Sequence, residues 1–161
     1  MNYVHSEIKE SVYALVNKWH GEQRYGEHPY IYHLEMVANK SKDLWGDDSV
    51  IWVVSMLHDL IEDAGDKSLA RIDLAEMMLN FESKGLFTQE ECFSMCKSIG
   101  YLTKGESITR KEYLDWLTVD PLAVKVKLSD SLCNLTCSIK SEDIRRISRY
   151  LETIKIVSEV L

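Results

Sequence analysis

The chain has 161 residues, 45% of them hydrophobic, and its 26 acidic against 19 basic side chains give a net charge of −7. That length predicts one domain, residues 1–161, able to bury about 70% of its unfolded surface. The acidity argues against a nucleic-acid backbone as partner and leaves room for a small anion gripped by a local cluster of cations. The longest apolar run is too short to cross a bilayer, and no basic segment leads into an apolar one at the N-terminus, so a soluble cytoplasmic protein without a membrane partner is expected. Cys92, Cys96, Cys133 and Cys137 form two i,i+4 pairs without a CxxC, which points to structural thiols rather than a zinc ribbon or a disulfide framework.

With two prolines, seven glycines and little strand-like alternation, the sequence reads as helical throughout. Ser6 is placed to cap a first helix whose stripe Ile8, Val12, Leu15, Val16 and Trp19 runs to Gly21. After a polar loop from Gly21 to His28, Pro29 opens a second helix ending near Trp45-Gly46. Asp47 or Asp48 caps the third, which is expected to run to about Ala64-Gly65. Further helices are predicted over Ser68 to Asn80, Thr88 to Leu102, Glu106 to Leu117, Asp120-Pro121 to about Ile139, and Glu142 to Val160. The expected architecture is an all-α bundle of about seven or eight helices, with Trp45, Trp52 and Trp116 in its core.

The most informative stretch is Leu57-His58-Asp59-Leu60-Ile61-Glu62-Asp63. On a continuous helix His58/Glu62 and Asp59/Asp63 are i,i+4 pairs, so imidazole and carboxylates share one face and can meet a metal, a water and a phosphate together. The preceding residues from Val50 to Leu57 are nearly all apolar. Charges placed at the buried end of such a helix need a metal or a partner. Further ligands must come from distant segments, and His33 and Asp130 are the candidates. A lone helical histidine is more often structural than a ligand. Lys127, Asp130 and Asn134 lie along one side of a helix, which suits a phosphate beside a metal and equally suits a solvated stripe. Arg24, in the loop before His33, can stack on a base or grip a phosphate, or simply be solvated.

Taken in order, His20-Gly21-Glu22-Gln23-Arg24, Pro29-Tyr30-Ile31-Tyr32-His33, Leu57 to Asp63, Tyr101-Leu102-Thr103-Lys104 and Val126 to Leu135 resemble the HD-domain hydrolases of the Rel/Spo homologue family, especially the small guanosine 3′,5′-bispyrophosphate (ppGpp) hydrolases of the stringent response. The resemblance runs along nearly the whole chain. It implies His33, His58, Asp59 and Asp130 as ligands of one manganese ion. It implies Glu62 and Asp63 as the acidic pair that orients or deprotonates the attacking water. Arg24 would pack on the guanine, Lys127 and Asn134 would lie near the ribose and phosphates, and Tyr150 would line the nucleotide pocket. The sequence departs from the family's pattern at Tyr25, Ala64, Ser131 and Cys133, where a second cation, a threonine, a basic residue and an aromatic or histidine are usual. The synthetase half of the long bifunctional members is not expected here. The implied reaction is hydrolysis of the alarmone to GDP or GTP and pyrophosphate. Attack on another nucleotide, such as the 2′-phosphate of NADPH, or alarmone capture without cleavage are the alternatives.

Overall fold

Side-chain caps set most of the helix starts. Asp48, Asp66, Thr88, Thr109, Asp120 and Asp143 each accept a hydrogen bond from the first turn that follows, and Thr88 with Glu91 and Thr109 with Glu112 close full capping boxes. The computed structural model describes residues 4–161. Among them are α1 (Ser6–His20), β1 (Arg24–Tyr25), β2 (His28–Pro29), α2 (Tyr30–Trp45), α3 (Ser49–Leu57), α4 (Lys67–Ser83), α5 (Gln89–Leu102), α6 (Arg110–Leu117), α7 (Pro121–Lys140) and α8 (Ile144–Ser158). The chain is all-α, as its periodicity predicts, apart from this two-residue hairpin.

The helix α3 is buried on every side from Ile51 to Leu57 and packs against α1, α2, α5 and α7. A short helix that is apolar all round belongs at the centre of a bundle. The long α7 is its companion, touching α2, α3, α5 and α8. These two helices place the site, because one ends at His58 and the other carries Asp130 near its middle.

Several sequence expectations change. Ser6 is the first helical residue rather than the cap: His5 takes that place, and its Nδ1 accepts from Glu7 N–H. The polar loop after α1 contains the hairpin β1–β2, pairing Arg24 with Pro29 and Tyr25 with His28. Its turn begins at Gly26, whose φ of +58° only glycine adopts without penalty. The fourth predicted helix gains an earlier start at Lys67, whereas Glu106 to Thr109 precede α6 rather than belonging to it. Trp52 is buried, but Trp116 is 60% exposed, because it stands at the edge of the α6 face that buries Tyr113, Leu114 and Leu117.

The largest change is at α3, which ends at Leu57 instead of continuing to Ala64-Gly65. The His58 ring takes the carbonyl of Ser55, which an uninterrupted helix would give to Asp59 N–H, and Leu60 N–H bonds back only three residues to Leu57 O. His58 to Glu62 therefore form a chain of turns rather than a helix. The turns remain coiled enough for Asp63 N–H to reach Asp59 O.

Candidate metal centre

Three helices that pack on one another, α2, α3 and α7, bring distant residues to one point. His33 projects from the first turn of α2, His58 follows the last residue of α3, and Asp130 lies mid-way along α7. All three are buried, and a ligand atom of each lies within 4.8 Å of the others. His33 Nε2 is 3.2 Å from Asp130 Oδ1, and His58 Nε2 is 3.7 Å from the same oxygen. Asp59 stands beside this trio, its Oδ2 2.9 Å from His58 Nε2 and 3.9 Å from His33 Nε2. The group can hold a metal ion.

The tautomer of His58 supports that reading. Its Nδ1 lies 2.7 Å from Ser55 O, an acceptor only, so Nδ1 carries the proton. Nε2 of the neutral ring then presents a lone pair to two carboxylates. It is buried, and no hydrogen bond of good geometry reaches it. A lone pair facing anions in a buried site calls for a cation between them, either a second proton or a metal. Burial opposes the proton, but Asp59 and Asp130 outweigh it and raise the His58 pKa well above 6.5. Imidazole nitrogen and carboxylate oxygen together suit a divalent transition-metal ion.

Each carboxylate is in turn held. The phenol of Tyr30 donates to Asp59 Oδ2 at 2.5 Å. Lys127 Nζ donates to Asp130 Oδ2 at 2.9 Å, and Asn134 Nδ2 to Asp130 Oδ1 at 2.5 Å. Burial works against the charge on Asp130, yet Lys127 and the two imidazoles hold its pKa well below 3.8. Asp59 is likewise lowered against burial, chiefly by His58. Asn134 is fully engaged, since its Oδ1 accepts from Tyr25 OH at 2.8 Å. Tyr25 stacks on His33 with ring centroids 4.5 Å apart and fixes that imidazole from its other face.

The group opens into a cleft of about 240 Å³. Glu62 and Asp63 line it beside Asp59. Desolvation raises the Glu62 pKa, Asp59 and Asp63 add to this, and the hydrogen bond from Lys104 N–H at 2.9 Å opposes it. Asp63 accepts from Gln23 Nε2 at 2.7 Å, and Gln23 Oε1 is 2.7 Å from His20 Nδ1. Lys127, Arg146, Arg149 and Tyr150 line the same cleft. Of the site residues singled out in the sequence, all but Arg24 and the buried His58 line the cleft; the Arg24 guanidinium donates to Glu27 O and closes the hairpin. Ser131 and Cys133 are buried away from the cleft, and burial followed by Asp130 pushes the Cys133 thiol up to about 12.

Tyr25, Tyr30, Gln23, Arg146 and Arg149 were not singled out as site residues by sequence reasoning. Tyr30 is three residues before His33 and shares its helical face, which is a readable signal. Arg146 lies one turn before Tyr150, with its guanidinium 5.9 Å from the ring. The pairing of Tyr25 with Asn134 across 109 positions has no local signal. No model of a known protein family matches the sequence, and no curated protein matches it.

Proposed function

We propose that the protein is a metal-dependent nucleotide pyrophosphohydrolase whose preferred substrate carries a 3′-pyrophosphate, as guanosine 3′,5′-bispyrophosphate does. The observation that carries this reading is the buried Nε2 of His58, without a hydrogen bond and facing Asp59 and Asp130, beside an acidic pair and several cations. The motif resemblance to the Rel/Spo HD hydrolases supplies the substrate class. His33, His58, Asp59 and Asp130 would hold one divalent ion, with manganese proposed. When bound, such an ion supplies Lewis acidity to a phosphoryl oxygen and lowers the pKa of water.

The chain's own groups account for the rest. Glu62, with its raised pKa, is the better proton acceptor of the acidic pair. Asp63, tethered through Gln23 to His20, orients the attacking water. Lys127, Arg146 and Arg149 neutralise phosphate oxygens, the arginines with planar forks suited to bidentate contact. Water adds to the phosphorus bonded to the ribose 3′-oxygen, and Glu62 accepts its proton. The bond between the ribose 3′-oxygen and that phosphorus then breaks, the 3′-oxygen takes a proton from solvent, and GDP or GTP and pyrophosphate leave. The partner is thus a small phosphorylated nucleotide, in keeping with a net charge of −7 that disfavours nucleic acid.

Chromatography of guanosine 3′,5′-bispyrophosphate after incubation with protein and manganese tests this, with Asp59→Ala alongside. GDP and pyrophosphate in equal amounts, absent with the variant, is the expected result. Release of inorganic phosphate from NADPH with the guanosine nucleotide intact would redirect the substrate. Unchanged nucleotides, bound tightly, would leave a capture protein.

A further inference from the structure

The cleft at the metal group is not the largest hollow of the molecule. A cavity of about 630 Å³ lies between the start of α4, the end of α5 and α6, and none of its lining residues belongs to the metal group. Two properties set it apart. Its walls carry three cations, Lys67, Arg71 and Lys104, on a chain whose net charge is −7. Its rim carries aromatic rings, with Trp116 60% exposed and set edge-on to Tyr101 at 6.0 Å, while Tyr113 lines it from the buried side.

Neither property is used up by the fold. An indole left 60% in water gives back most of what its burial would contribute, and a stacked planar ligand would recover it. Arg71 is exposed and makes no ion pair or hydrogen bond among the described residues. Lys67 reaches only Glu106 Oε1 at 3.3 Å, and Glu106 is 91% exposed, so that pair is a weak one that an anion displaces at little cost. The Lys104 ammonium bonds Gly105 O at 3.3 Å, the carbonyl of its own neighbour. Cations arranged to receive an anion, next to a flat apolar wall, describe a ligand that joins an aromatic ring to a phosphate. The volume falls within the roughly 300–1,000 Å³ of small-molecule sites.

We propose that this cavity is a nucleotide-binding site separate from the metal centre, with the base against Trp116 and the phosphates on Arg71, Lys67 and Lys104. It does not depend on the hydrolase reading, because it needs neither the metal nor turnover.

The test is titration of chelator-stripped protein with GDP, followed by tryptophan fluorescence and by calorimetry. Saturable binding with quenching is expected. Arg71→Ala should weaken it about tenfold or more, and Trp116→Leu should abolish the quench. Lys140→Ala, an exposed cation at the end of α7 that lines neither hollow, should leave the affinity unchanged. All three side chains are exposed, so the fold tolerates these changes, and circular dichroism verifies it. No saturation by about 1 mM GDP, or equal affinity in Arg71→Ala, overturns the proposal. So does a loss in Arg146→Ala, a variant of the metal cleft, matching that in Arg71→Ala, which would put the nucleotide in the cleft. Inorganic pyrophosphate binding as tightly as GDP would also overturn it, by making this an anion site without a base.

Discussion

His58 commits its Nδ1 proton to Ser55 O and turns Nε2 toward Asp59 and Asp130, so a proton and a bound metal would compete for one nitrogen. The pH dependence follows from the two shifts. His58 is raised, so in chelated protein its stabilisation is complete below its ordinary value of 6.5 and is lost as pH rises through the elevated folded value. Asp130 is lowered, so its contribution is present above 3.8 and is lost as pH falls toward its folded value. A divalent ion bound there would replace the His58 proton, and its advantage would therefore grow with pH. Thermal unfolding with manganese and with chelator should show a gap in Tm that widens from about pH 6 to about pH 8. A gap that narrows over this range would contradict the His58 assignment. Tyr30 offers a second test, since its phenol bonds Asp59 Oδ2 at 2.5 Å. Tyr30→Phe should reduce manganese affinity about tenfold to a hundredfold, the usual cost of losing such a support, with little change in helix content. Isothermal titration measures it, and an unchanged affinity would remove Tyr30 from the centre.

Among the helices, two ends share one design with different residues. At the end of α4, Leu86 N–H bonds Phe81 O and Gly85 N–H bonds Glu82 O, with Gly85 at φ +67°. At the end of α7 the same pair of bonds runs from Asp143 to Ser138 and from Glu142 to Ile139, but the residue at φ +56° is Glu142. A side chain there is strained where glycine is not. Glu142→Gly should therefore stabilise the protein by about 0.5–1 kcal/mol, after allowing for the added freedom of the unfolded chain. Urea unfolding measures this, and a loss of stability would contradict it. Asp66→Ala, which removes the cap of α4, should cost about 1 kcal/mol by the same measurement. Most of the elements are legible in the sequence because caps and a 3.6-residue period are local. The end of α3 is not, since Leu60 and Ile61 continue the apolar pattern while the break comes from a side-chain bond at His58 that periodicity cannot register. Trp116 is misplaced for a related reason: hydrophobicity says that a residue prefers burial, and the register of α6 decides whether it obtains it.

At the scale of the molecule, His33, His58 and Asp130 come from three elements that meet only when the bundle is closed, so binding of a metal ion there would be coupled to folding. The acidic pair and the His-Asp doublet are legible because they are adjacent in sequence. The convergence of His33 and Asp130 on them could be proposed from motif order, but the supports across the bundle, Tyr25 to Asn134 and Gln23 to Asp63, could not. No helix among the described residues is long and apolar enough to cross a membrane. If the bundle holds one ion, saturation at a hundred times Kd adds about 2.7 kcal/mol to stability, or a rise in Tm of roughly 5–10 °C for a chain of this size. A Tm independent of manganese would contradict the coupling.

We propose that His33, His58, Asp59 and Asp130 form a single divalent-metal centre. Titrating manganese into chelator-stripped protein, with the free ion followed by electron paramagnetic resonance, addresses it most directly, using the parent chain with His58→Ala and Asp130→Asn. One ion per parent chain and no tight ion in either variant is the predicted result. Equal stoichiometry and affinity in all three proteins, or none in the parent, would contradict it.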